Sequence, residues 1–212
     1  PRVRRQRQMC IRDRLYILHI REDVLVRTKL KTKDLVISAL LIAIGILIPM
    51  IFTGPPFRIV VGPYSATLMA HVPVIIAMFI SPWTAVFTAV GTTIGFFFTA
   101  PLVVAVRAAS HIVFAIMGAY MLKKGMNLTV TGLATGVVHA VFEGIVVLIF
   151  FAVGASTSSS YSNLAMMWIT IGGTFAHHIV DYVIAVIVGS ALSRAHMIPS
   201  LPPIWGKKQL AK

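Results

Sequence analysis

The sequence predicts an all-α fold: a polytopic membrane protein built as a six-transmembrane-helix bundle with cytoplasmic termini. Three observations predict it. Of 212 residues, 58% are hydrophobic and 12% charged, with a mean hydropathy of +0.89, against about 45–50% and about 25% in ordinary soluble domains. Several of its apolar runs approach the ~20 residues that cross the hydrocarbon layer. Once residues 1–14 and the intramembrane Arg107 are set aside, eleven Lys and Arg fall on one side of the runs and a single one, Arg58, on the other, which assigns the termini to the cytoplasm by the positive-inside rule. The length suits one compact bundle rather than two domains.

The N-terminus stands apart from this scheme. Residues 1–14, PRVRRQRQMCIRDR, hold six Arg and one Asp. Met9 to Arg14 back-translates to ATG TGT ATA AGA GAC AGN, which resembles a transposon end used to prepare sequencing libraries. The segment is read as a translated adapter and set outside the fold. Removing it leaves +8 of the formal +13. Residues 15–33 form a basic cytoplasmic segment. The remaining positive charge flanks apolar spans, as topology signals do, and does not point to nucleic acid. The one cysteine, Cys10, lies in the excluded stretch and carries no information on redox compartment.

The membrane domain spans 34–192. Its first run, DLVISALLIAIGILIPMIF, extends from about Asp34 to Phe52 behind Arg27, Lys29, Lys31 and Lys33, with Pro49 closing or kinking it. A Gly- and Pro-rich external loop follows, with a short extended piece at Arg58–Val61. The second run, from about Thr67 to Ile80, is short and contains His71 and Pro73. Ser81-Pro82 turns into the third, Trp83 to Thr99, and Ala100-Pro101 into the fourth, Leu102 to Lys124. The fifth runs from Leu128 to Val153. A serine-rich external loop then leads to the sixth, Leu164 to Leu192, and residues 193–212 form a cytoplasmic tail.

Polar residues inside apolar helices mark sites. Arg107 is expensive in a membrane helix, at least ~2.5 kcal/mol on insertion scales, so it must face protein, water or a ligand. Two roles are open to it: clasping an anionic substrate group, or an internal ion pair with Glu143. Glu143 itself admits pairing, substrate contact or a protonated carboxylic acid. His111, four residues beyond Arg107, shares its helical face and can serve a ligand or an interhelical hydrogen bond. His71, His139, His177, His178 and Asp181 complete a polar column. A metal is conceivable there. However, HAVFE at 139–143 is not the HExxH of a zinc peptidase, and adjacent His177 and His178 point about 100° apart. Interhelical hydrogen bonding is the plainer reading. Tyr64, Tyr161, Asn163 and Trp168 lie at the outer boundary, where aromatics anchor to the interface or cap a bound molecule. Small residues spaced by four recur at Ala39/Ala43, Gly91/Gly95 and Gly132/Gly136, a spacing that lets helices approach closely.

Four stretches now carry a resemblance: TKDLVISALLIAIGILIPM, GPYSATLMAHVPVIIAMFISP, AVGTTIGFFFTAPLVVAVRAASHIVFAIMGAYML and GVVHAVFEGIVV. Over about Thr32 to Leu192 the chain resembles the S components of energy-coupling factor (ECF) vitamin transporters, and within them the niacin-specific branch. The resemblance implies a substrate-binding subunit in a prokaryotic plasma membrane, with no enzymatic activity and no cofactor. Its partners would be a vitamin, the lipid bilayer, a T component and two ATPases; the chain has no GxxxxGK[ST] loop of its own. The candidate substrate site is Arg107, His111, Glu143, Tyr64, His71, Trp168 and His177, with Phe96 or Phe114 as further ring neighbours. Ala39 and Ala43 match the family's docking pair. Two other expectations stand beside this one: an S component for another small vitamin such as pantothenate, and an intramembrane metal-dependent hydrolase using His139, Glu143, His177 and Asp181.

Overall fold

A computed structural model describes residues 32–62, 64–154 and 163–206. From Asp34 onward these belong to one compact unit. The expectations for residues 1–14, for most of 15–33, and for Tyr161 and most of the serine-rich loop lie outside the described residues.

Seven helices and one hairpin make up the described chain: α1 (Thr32–Ile51), β1 (Arg58–Val61), β2 (Tyr64–Thr67), α2 (Val72–Ile80), α3 (Pro82–Thr99), α4 (Leu102–Ala109), α5 (His111–Lys123), α6 (Leu128–Ala152) and α7 (Asn163–Arg194). Among the described residues, four stretches are long and apolar enough to cross a membrane: α1, the α4–α5 stretch, α6, and α7 from Leu164.

The expected extended piece at Arg58–Val61 is a strand, paired antiparallel with β2 in the register Arg58↔Thr67 to Val61↔Tyr64. Gly62, at φ +57, takes the left-handed conformation that a tight hairpin corner demands. The second helix begins at Val72, not at Thr67 as the apolar pattern suggests. Leu68–His71 instead forms hydrogen-bonded turns, Ala70 N–H to Thr67 O and Val72 N–H to Met69 O, with Met69 at φ +66. Helix geometry cannot pass through that residue, and Pro73 then suits the first turn of α2. Nine residues long, α2 buries every side chain from Val72 to Phe79. A helix apolar all round belongs in the centre.

Small residues decide how the other helices meet it. Ile42 and Ile46 of α1 sit over Gly91 and Gly95 of α3; a Cβ on Gly91 would fall 2.6 Å from Ile42. Tyr182 of α7 covers Gly132 of α6, and Phe175 and His178 lie over Gly136. The small-residue stripe on α6 continues through Ala140 to Gly144, which faces Ile171. Without a hydrophobic force between helices in lipid, this close approach supplies the packing. Buried threonines keep the interior satisfied by donating to carbonyls one turn back: Thr93 to Ala89, Thr135 to Thr131, Thr170 to Met166. The tail contributes as well. Pro203 and Ile204 carbonyls accept the Leu128 and Thr129 N–H groups, and the Asn127 side chain accepts from Val130, so the first turn of α6 has few orphan donors.

Against this bundle α1 lies lightly. Leu35, Val36, Leu40, Ile44, Leu47 and Met50 are exposed, and Ala39 and Ala43 are exposed with them. The small pair therefore faces outward, whereas Gly91/Gly95 and Gly132/Gly136 pack within the bundle.

Candidate functional site

The expected fourth span is two helices broken at Ser110. Its hydroxyl and its N–H both donate to the Arg107 carbonyl, at 2.7 and 3.0 Å, and Val113 N–H donates to Ser110 O at 3.1 Å. These three-residue closures tighten one turn. Arg107 ends up in the last turn of α4 and His111 at the start of α5.

Arg107 is only 3% exposed. Its Nη2 donates to Glu143 Oε2 at 2.6 Å and to the Ser65 carbonyl of β2 at 3.3 Å. The Tyr64 ring lies 5.5 Å from the guanidinium carbon, a cation–π distance. Tyr64 packs in turn on Gly173, where a Cβ would come 2.5 Å from the ring. Burial pushes the Tyr64 phenol above its usual value, against the pull of Arg107 in the other direction.

Glu143 divides its two oxygens. Oε2 takes Arg107 and the Thr174 hydroxyl, the latter at 2.5 Å. Oε1 faces His111 Nε2 at 3.4 Å and His139 Nε2 at 3.3 Å. The ion pair considered in the sequence is therefore formed. Such a buried pair is held by its geometry, and removing one partner strands the other at a cost of about 3–5 kcal/mol.

His71 is the hub that spacing alone does not reveal. Its ring centroid lies 4.7 Å from His111, 4.6 Å from His139 and 4.7 Å from His177. Asp181, 0% exposed, fixes it: Oδ2 accepts the His71 N–H at 2.9 Å and Nδ1 at 3.0 Å, and Oδ1 accepts the Met69 N–H at 2.8 Å. This anchor on α7 holds the turn before α2 and the left-handed Met69. His177 Nε2 lies 3.4 Å from the same Oδ2. His139 pairs with His178, Nδ1 to Nδ1 at 3.0 Å, and His178 Nε2 meets the Thr135 hydroxyl at 3.1 Å. Hydrogen bonding between helices thus accounts for His178, as expected.

A cavity of about 30 Å³ opens among these groups, lined by Arg58, Ser65, Phe96, Arg107, His111, His71, Glu143 and His177, with Thr67, Ala70, Val104 and Ala108. It has room for about one or two waters. Five of the seven expected site residues line it, and Tyr64 stands behind Arg107. Trp168 does not join them: it is 61% exposed on α7. Phe114 is fully buried behind the histidines, 4.6 Å from the His139 ring, whereas Phe96 reaches the cavity. Thr174 was not singled out in the sequence. Its helical spacing from His178 and Asp181, at i+4 and i+7 on one face, is the signal that could have found it.

No family profile matches the chain, and no solved structure matches it. Among characterised proteins, it is 36% identical over 178 residues to the niacin transporter NiaX of Lactococcus lactis subsp. cremoris (strain MG1363), an alignment covering 80% of this chain and 79% of that one.

Proposed function

Because this chain belongs to the family of niacin transporters, we propose that it is the substrate-binding S component of an ECF transporter, capturing niacin near the outer face of a prokaryotic plasma membrane. The observation that carries the reading at the level of residues is Arg107, a buried guanidinium beside a cavity and backed by an aromatic ring. Niacin is a flat ring bearing a carboxylate at neutral pH, which a guanidinium matches bidentately. Glu143 takes that place, and the cavity of about 30 Å³ is smaller than a pyridine ring. Binding therefore exchanges one carboxylate for another: niacin takes Arg107, Glu143 keeps Thr174, and the site widens. Phe96 and Tyr64 flank the ring, while His71, His111 and His177 offer hydrogen bonds. Trp168 serves as an interfacial anchor.

The chain crosses the membrane six times in this reading, with α4 and α5 counted as one span broken at Ser110. Both termini are cytoplasmic, supported by the eleven-to-one distribution of basic residues. The subunit is not an enzyme; two ATPases on a T component supply the energy. Titration calorimetry with niacin and nicotinamide tests the substrate. Niacin is expected to bind at least about tenfold tighter, because nicotinamide lacks the charge and a hydrogen bond to a charged group is worth ~1.5–3 kcal/mol. Equal affinities, or no niacin binding, would overturn the assignment.

Docking follows from the outward face of α1. An Ala39→Trp, Ala43→Trp variant is expected to fold and bind niacin normally, since both positions are exposed, and to fail in co-purification with the T component. Normal complex yield and uptake would remove this role.

A further inference from the structure

We propose that His71, His111, His139 and Glu143 form a binding site for one divalent transition-metal ion of the zinc and cobalt class. The proposal does not depend on niacin being the substrate. All four residues are buried, and one donor atom from each lies within 4.8 Å of the others.

The hydrogen bonds around the cluster turn its lone pairs inward. Asp181 accepts from His71 Nδ1, which fixes the proton there and leaves Nε2 of the neutral ring bare. A carboxylate holding the far nitrogen is the arrangement that orients metal-binding histidines. His139 spends Nδ1 on His178, and its Nε2, fully buried, has no hydrogen-bond partner. Arg107 and Thr174 both take Oε2 of Glu143, so Oε1 is left to face the histidines.

Two of the six donor pairs stand at the spacing of a bound ion, and the others lie within 4.8 Å. Oε1 lies 3.3 Å from His139 Nε2 and 3.4 Å from His111 Nε2. Donors of one tetrahedral zinc, each ~2.0–2.1 Å from it, stand about 3.3–3.4 Å apart. Three imidazoles and one carboxylate suit zinc, cobalt or nickel rather than magnesium or calcium. With Arg107 paired to Glu143, the carboxylates of Glu143 and Asp181 leave one net negative charge to offset part of a dication's charge.

The test uses the untagged full chain in detergent, stripped with a chelator and titrated with Co²⁺. The expected result is one Co²⁺ per chain with the intense visible bands of tetrahedral coordination, displaced by Zn²⁺. His139→Gln is expected to weaken Co²⁺ binding at least about tenfold. Should that variant fail to fold, His111→Gln carries the same expectation. Substoichiometric uptake by the wild type, the pale spectrum of a six-coordinate ion, or a folded variant that binds Co²⁺ as tightly as wild type would each overturn the site. Niacin titration of the stripped chain reads the transport assignment separately.

Discussion

Arg107→Gln is expected to weaken niacin binding at least about tenfold and to narrow the preference for niacin over nicotinamide. The binding loss follows from removing a charged partner worth ~1.5–3 kcal/mol. A second effect accompanies it. Glu143, 3% exposed, loses the guanidinium it pairs with, and breaking a buried pair from one side costs about 3–5 kcal/mol of stability. The two effects separate in a double variant, Arg107→Gln with Glu143→Gln. There the stranded charge is gone, so thermal stability is expected to recover much of its loss while niacin binding does not. Calorimetry and thermal unfolding on the wild type, both single variants and the double variant complete the cycle. A double variant that binds niacin like wild type would take Arg107 off the carboxylate.

Asp181→Leu is expected to be the most destabilising substitution at the site, by upwards of about 3 kcal/mol. The carboxylate accepts from Met69 N–H, His71 N–H and His71 Nδ1, and each buried donor left bare costs about 1–3 kcal/mol. Asp181→Asn keeps the size and one acceptor oxygen, so it is expected to fall between Leu and wild type. Thermal unfolding in detergent reads both. A Leu variant as stable as wild type would show that the turn before α2 holds itself.

Much of the fold was legible because its signals are local. Apolar runs marked the helices, the strand at Arg58–Val61 fell where the chain read as extended, and Gly91 and Gly95 met large side chains from another helix. Arg107 and His111 share a face by spacing alone, and Glu143 was the carboxylate named for pairing. What escaped depends on contacts across the chain. The apolar pattern gives no reason for α2 to start at Val72; the reason is a carboxylate 112 residues from Met69. LVVAVRAASHIV reads as one helix, and Ser110 keeps helical angles; one tightened turn there divides α4 from α5. His71 looked like one polar residue in a short span, yet three helices bring histidines and carboxylates to it. Trp168 was an aromatic beside the candidate loops, and only the rotation of α7 sends it outward.

Asp181 also sets a clock. The amides of Met69 and His71 lie in a turn, where exchange with solvent deuterium is ordinarily quick. Here their hydrogens are held by a buried side chain on α7, so they reach water only when that helix and the turn part company. At a pH high enough that every opening leads to exchange, their rate is the opening frequency of the join between α7 and the chain entering α2, not of the turn itself. Two amides therefore time a motion that takes place between helices.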